Sequence, residues 1–215
     1  MYSNQFENPA RMTDPKSSQK TAATSDQDAF AEVASVSKKL ISEMLVRMIE
    51  SAADYRNWNL SKKDGAQLVK LIKHKQRIIC SSFSFQLKQH FTDFKAADGS
   101  QPQKHSLHDW QRLGLSATDD KAEIAELEAI TTRYGEAFKE FDRSILKRLQ
   151  ASTRRSRANL YENPLQVKRL CESFRYAVDS LKLEVDDRLA LYKLFADRFI
   201  ESLGPLYRHI DQLLF

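Results

Sequence analysis

Glycine and proline are scarce in this sequence, with five of each among 215 residues. Sandwiches and barrels of β-strands need many turn residues, so the scarcity disfavours both folds. A phosphate-binding loop needs closely spaced glycines, and no such motif occurs; the motifs Gly-x-Ser-x-Gly and His-Glu-x-x-His are absent as well. These absences favour an all-α protein and predict that it is not an enzyme.

Cysteine is also rare, since only Cys80 and Cys171 occur. The two residues are far apart, and each lies within an apolar pattern of helical period. This placement favours two reduced core residues in a cytoplasmic protein, with a disulfide or a metal-binding pair as the alternative. We predict no cofactor and no metal.

Long apolar runs are absent too. No segment approaches the ~18 apolar residues of a membrane-spanning helix, and the polar N-terminus contains no apolar stretch of the kind found in secretory signals. The sequence therefore predicts a cytoplasmic protein with no membrane span. Its hydrophobic content of 41% is sufficient for a core.

Apolar positions recur at steps of three and four along most of the chain, which indicates amphipathic helices. Residues 1–26 are polar, and we predict a disordered tail there. Residues 27–215 are expected to form a single helical domain, with N-terminal helices in 28–95, a connector in 96–117 and C-terminal helices in 118–215. The predicted fold is all-α, a helical bundle of five or six helices.

Three sequence signals mark the predicted helix starts. Ser61 is expected to cap a helix that continues to Lys95, with Asp64 as the second residue of a capping box. Asn163 and Pro164 are typical of an N-cap and the first helical position, so they predict a helix start. Thr118 precedes several acidic residues, which favour the N-terminus of a helix.

The last part of the chain is predicted to contain one further start and one interruption. Asp186 or Asp187 is expected to begin a helix. The Gly204-Pro205 pair is expected to break or kink it.

The C-terminal half resembles the bacterial domain-of-unknown-function family 1631. The resemblance is carried by "ENPLQVKRLCESFRYAVDSL" and "RLALYKLFADRFIESLGPLYRHIDQLL", with weaker matches in "LSATDDKAEIAELEAI" and "LVKLIKHKQRIICSSFSFQLKQHF". It covers roughly residues 40–215. It implies a bacterial origin, an all-helical fold and a short version of a longer family, and it implies no reaction.

Two sets of polar residues have spacings that are also found in active sites. His105 and His108 are three residues apart beside Asp109, which is a ligand-like spacing, but an exposed polar loop explains them more simply. Asp186 and Asp187 are similarly explained by the start of a helix. We therefore assign no catalytic residue.

The charge is segregated along the chain. Residues 62–95 contain eight basic and two acidic residues, a net charge of +6; residues 143–157 also carry +6; residues 119–142 contain eight acidic and three basic residues, a net charge of −5. Basic clusters of this kind can contact phosphates or an acidic protein, whereas the alternative is that the opposite charges pair between helices or are solvated. The candidate residues for binding an anion or a partner are Lys70, Lys73, Arg77, Arg148, Arg154, Arg155 and Arg157.

Aromatic residues recur at helical steps in the C-terminal half. Core packing is the simplest interpretation, and a pocket or a groove for a partner is the alternative. The residues are Phe174, Tyr176, Tyr192, Phe195, Phe199 and Tyr207.

These observations favour a non-catalytic protein-interaction module, a bacterial regulatory or adaptor protein that binds another protein or a second copy of itself. The alternative is a regulator that binds nucleic acid or an anionic nucleotide through the basic segments. Salt separates the two hypotheses, because phosphate binding weakens steeply as the salt concentration rises.

Overall fold

The computed structural model describes residues 15–55, 60–96, 119–152 and 163–213, and within these ranges the chain is helical with no β-strand. The predicted all-α fold is confirmed. The described residues form eight α-helices instead of the five or six that were predicted. They are α1 (Pro15–Glu50), α2 (Lys62–His74), α3 (Gln76–Ala96), α4 (Asp119–Ala137), α5 (Lys139–Ser152), α6 (Val167–Asp179), α7 (Val185–Leu194) and α8 (Leu203–Leu213).

Two of the predicted long helices are each divided at one residue, which explains most of the difference in number. The helix expected from Ser61 to Lys95 is divided at Lys75, whose φ of −93° and ψ of 7° lie outside the helical range. The helix expected after Thr118 is divided at Phe138. The apolar period continues across both residues, so the hydrophobic pattern alone does not show either division.

The first helix begins earlier than predicted. It starts at Pro15, a residue type that suits the first helical position, and therefore includes part of the segment 1–26 that was expected to be a disordered tail. Adding residues to an existing helix gains one hydrogen bond per residue without a new nucleation step, which allows a polar stretch to extend a helix. Residues 1–14 lie outside the described part of the chain.

The prediction that Asn163 caps the sixth helix is wrong. The helix begins at Val167 with Gln166 as its N-cap, and Asn163 instead forms the turn before it. Its Oδ1 accepts a hydrogen bond from the Leu165 N–H at 3.0 Å, and its backbone oxygen accepts one from the Gln166 N–H at 2.9 Å. An asparagine side chain that bonds to the backbone two residues on is a common turn former.

The remaining boundaries are partly confirmed. Ser61 caps α2, because its Oγ accepts a hydrogen bond from the Asp64 N–H. Glu184, and not either aspartate after it, is the N-cap of α7. A π-helical segment, Phe195–Ile200, follows α7, and Gly204-Pro205 lies within the first turn of α8, where the missing proline N–H leaves no bond unmade.

A layer of aromatic rings lies between α3, α6 and the π-helical segment. The Phe174 and Phe195 rings are stacked with centroids 4.1 Å apart, and the Phe195 and Phe199 rings are 4.6 Å apart. Phe83 of α3 contacts the last two of these rings. All four are buried, so the predicted core role of Phe174, Phe195 and Phe199 is confirmed; Tyr192 and Tyr207 are buried as well.

Candidate functional site

The structure places the seven predicted basic residues in three different situations. Arg154, Arg155 and Arg157 lie outside the residues that the structure describes. Arg148 of α5 is in an ion pair with Asp211 of α8, with Nε and Oδ1 3.1 Å apart. This contact gives Arg148 a role in joining two helices.

The other three predicted residues are exposed. Lys70 and Lys73 lie on α2, and Arg77 lies one turn later at the start of α3. Lys88 is also exposed, and it shares a helix face with Arg77 because eleven residues are close to three full turns. The structure therefore provides a basic surface along α2 and α3.

Large apolar side chains are exposed beside this basic surface. Ile78 and Phe85 of α3 are 43% and 53% exposed, and Tyr176 of α6 is 47% exposed. The Phe85 and Tyr176 rings stack across the two helices with centroids 6.2 Å apart and planes inclined by 27°. Ile78 lies two turns before Phe85 on the same face of α3. We refer to these three residues as the Phe85 surface.

The Phe85 surface corrects one prediction and adds two residues. Tyr176 was expected in the aromatic core, but it is exposed. Ile78 and Phe85 are exposed as well, and neither was among the predicted candidate residues. The sequence contains a signal for Phe85, because Ile79, Phe83 and Leu87 define the buried face of α3, and Phe85 lies off that face by helical period.

The cations of α3 border the Phe85 surface. Arg77 is next to Ile78 in sequence, and Lys88 lies one turn after Phe85. On α6, Arg169 is already paired with Glu172, with Nη1 and Oε2 2.7 Å apart. An apolar centre with a positive border is suited to an apolar ligand surface that carries acidic residues at its edge.

Several carboxylates of the acidic segment 119–142 have partners within the molecule. Glu123 is fully buried and paired with Arg188, and Asp142 accepts a hydrogen bond from the Asn163 side chain at 2.9 Å. Glu136 and Glu140 form exposed local ion pairs with Lys139 and Arg143. Four of the eight acidic residues of this segment are thus matched by a neighbouring group.

Glu123 is the centre of a buried ionic cluster that joins α4, α6 and α7. Its Oε1 lies 2.7 Å from Nη2 of Arg188, and its Oε2 accepts a hydrogen bond from the Tyr192 hydroxyl at 3.0 Å. Arg175, 2% exposed, lies 3.9 Å from the same Oε2 atom. Burial raises the pKa of Glu123, against the opposing effects of the Tyr192 hydrogen bond and the two arginines. The cluster is a structural element of the helix packing.

The comparison with protein families gives one match. Residues 19–215 match the family described as "Protein of unknown function (DUF1631) N-terminal domain". The chain belongs to this family. No curated protein and no solved structure matches the chain. The match confirms the resemblance found in the sequence motifs. It also extends that resemblance of this DUF1631 chain toward the N-terminus, from about residue 40 to residue 19.

Two clefts flank α4 in this DUF1631 domain. The first, of about 280 Å³, lies against α6 and is lined by Leu127, Thr131 and Cys171 among others. The second, of about 310 Å³, lies against α7 and the π-helical segment. Burial raises the pKa of the Cys171 thiol to about 12, so this cysteine is a poor nucleophile at neutral pH.

In the described ranges of this DUF1631 domain, no three His, Cys, Asp or Glu side chains come together as metal ligands. None of the helices in those ranges is long and apolar enough to cross a membrane. His105 and His108 lie outside those ranges.

Proposed function

We propose that this chain is a non-catalytic protein-interaction module and that it binds an acidic amphipathic helix of a partner protein through the Phe85 surface. The observation that carries the proposal is the stacked, half-exposed pair of Phe85 and Tyr176 with Ile78 beside it. A contiguous group of exposed large apolar residues is typical of an interaction site. Aromatic residues also dominate the binding energy of protein interfaces.

The chemistry of the partner follows from the border of this surface. Arg77 and Lys88 are exposed on the same helix as Phe85, and they favour acidic residues at the rim of the bound surface. The Phe85 surface runs along two turns of α3, a length that suits the apolar stripe of a helix packed beside it. An acidic helix with apolar residues at steps of three and four is therefore the proposed ligand.

The setting expected from the sequence is part of the proposal. We infer a bacterial, cytoplasmic regulatory or adaptor role. The family motifs support the bacterial origin, and the absence of any reactive motif in the sequence supports a binding role.

Binding of nucleic acid or an anionic nucleotide is the second candidate function. Its support is that Lys70, Lys73 and Arg77 are all exposed on neighbouring turns. Such binding would use phosphate contacts and would weaken steeply with salt. An apolar interface depends much less on the salt concentration.

The proposal is tested with Phe85→Asp, which places a charge in the centre of the apolar surface. Gln212→Asp on α8 is the matched control, because it adds the same charge at another exposed position. Sedimentation of the purified proteins first shows whether a second copy is the partner. Capture from bacterial lysate at low and high salt, after nuclease treatment, then identifies other partners, and each one is purified and titrated.

The expected result is a protein that binds the original chain and the Gln212→Asp control at high salt and does not bind Phe85→Asp. If every captured protein binds all three forms equally, the Phe85 surface is not the interaction site. Recovery that depends on nucleic acid and is lost at high salt would instead favour the second candidate.

A further inference from the structure

The cleft between α4 and the end of α7 is lined by charged side chains of both signs. Its volume of about 310 Å³ lies at the small end of the range of ligand pockets, about 300–1,000 Å³. Glu126 and Arg133 of α4 line one wall, Lys193 and Asp197 line the other, and Tyr55 closes the cleft beside Asp197. Two cations and two anions thus surround a space of small-molecule size.

The order of contacts along the two helices places these charges in pairs. Glu123 accepts a hydrogen bond from Tyr192. Later in the chain, Tyr134 near the end of α4 and Asp197 in the π-helical segment after α7 line the same cleft. The two helices therefore run in the same direction. Consequently, Glu126 and Lys193 lie at one end of the cleft, and Arg133 and Asp197 lie at the other.

The four charged side chains do not form ion pairs with one another. Glu126, Arg133 and Lys193 have no ion-pair partner among the residues that the structure describes, and the guanidinium of Arg133 lies 5.0 Å from the centre of the Tyr134 ring. Asp197 is fixed by the Tyr55 hydroxyl, which donates to its Oδ2 at 2.7 Å. The second carboxylate oxygen of Asp197 is left for another donor.

The backbone at this position is also unusual. Asp197 lies in the π-helical segment, where the Glu201 N–H donates to the Ala196 oxygen five residues before it at 3.0 Å. Single π-helical turns within α-helices are frequent at functional sites. The small side chain of Ala196 lines the same cleft.

The cleft on the other side of α4 has no comparable group of unpaired charges. Its charged residues include Glu172, which is bound to Arg169 at 2.7 Å, and Lys168, which has an interaction partner. Of these two clefts, the one beside the π-helical segment is therefore the one that has several charges left unpaired by the described residues.

We propose that this cleft binds a free α-amino acid. Such a ligand carries a carboxylate and an ammonium group on one carbon atom, and these two charges match Arg133 and Asp197 on facing walls. Its side chain would pass Ala196 toward Glu126 and Lys193. A terminal group of either charge would have an oppositely charged partner there. The assignment is independent of the Phe85 surface, which involves α3 and α6.

The test is isothermal titration calorimetry of the purified chain with each of the twenty amino acids. Each amino acid that binds is then tested as its N-acetyl derivative, which lacks the ammonium charge, and as its amide, which lacks the carboxylate charge. At least one amino acid should bind at millimolar or lower concentration. Removal of either ligand charge should weaken the affinity roughly tenfold or more, the loss typical of a charged hydrogen bond. An absence of heat for all twenty, confirmed by ligand-observed NMR, would overturn the proposal.

Two variants locate the binding. Asp197→Asn keeps an oxygen acceptor for the Tyr55 hydroxyl but removes the negative charge, and Arg133→Gln removes the positive charge. Each should weaken binding roughly tenfold or more while the melting temperature stays within a few degrees of the original. Arg143→Gln, on the exposed face of α5, is the control and should bind normally. Binding that survives both cleft variants would contradict the proposed site.

Discussion

Glu123 is a charged residue that the fold buries completely. It lies between Arg175 and Arg188 and accepts the Tyr192 hydroxyl. Breaking a buried ion pair by removing one partner is far more costly than breaking a surface pair, so these residues fix the relative positions of three helices. From the sequence, Glu123 was only one of several acids in a negatively charged segment.

The raised pKa of Glu123 predicts a pH dependence of stability. Its folded pKa lies above the ordinary value of 4.5, so between the two pKa values the folded state holds a proton that the unfolded chain releases. The stabilisation from this group is complete below that value and declines as the pH rises through the interval between the two pKa values. Urea unfolding at a series of pH values should show a smaller decline for Glu123→Gln. Equal slopes for both proteins would contradict the assignment.

Phe174 should contribute more to stability than any exposed aromatic residue of the chain. The ring is buried and stacked on Phe195, so Phe174→Ala is expected to lower the free energy of unfolding by about 3–5 kcal/mol. Tyr176→Ala, two residues later and half-exposed, should change it by less than about 1 kcal/mol. Urea denaturation measures both. A loss below about 1 kcal/mol for Phe174→Ala would show that the ring is not part of the core.

At the scale of helices and turns, contacts between residues that are close in sequence could be predicted, whereas contacts between residues far apart in sequence could not. The Ser61 cap of α2 was predicted because its partner, Asp64, lies three residues away. The role of Asn163 was mispredicted, because asparagine forms local hydrogen bonds both in a helix cap and in a turn such as the one it makes with Leu165. Its contact with Asp142, which is 21 residues away, could not be predicted from local sequence.

The Asn163 turn gives a prediction for the start of α6. Asn163→Ala removes the hydrogen bonds to the Leu165 N–H and to Asp142, and it leaves the Leu165 N–H without its acceptor in a buried setting. The variant should lose about 1–3 kcal/mol of stability. Thermal unfolding combined with urea denaturation checks this value. Stability equal to that of the original chain would mean that water replaces the side chain at no cost.

At the scale of the whole molecule, the all-α class and most of the core followed from the apolar period, and the exposed surface did not. Ile78 and Phe85 could be recognised in principle, since they lie off the buried face of α3. Tyr176 could not, because its exposure depends on how closely α3 packs on α6. Lys70, Lys73 and Arg77 are exposed, and their binding role stays a prediction. The pairing of Arg148 with Asp211 could not be predicted, because it depends on the contact between α5 and α8.

The same packing explains why the candidate surface is basic. Four of the eight acids of α4 and α5 have an arginine, a lysine or Asn163 as a partner within the fold, whereas Arg77 and Lys88 remain exposed beside the Phe85 surface. The basic charge that the sequence concentrates in 62–95 is thus exposed at the surface, whereas part of the acidic charge in 119–142 is paired within the fold. A partner that binds this surface is expected to supply the acidic residues.

The decisive measurement for an interaction site at Phe85 is the affinity of a purified partner for the original chain and for Phe85→Asp, at low and high salt. Phe85→Asp should bind roughly tenfold more weakly or worse at both salt concentrations, since a charge in an apolar interface is costly at any ionic strength. Salt should have only a modest effect on the affinity of the original chain. Equal affinities for the two proteins, or binding that disappears at high salt, would contradict an interaction site centred on Phe85.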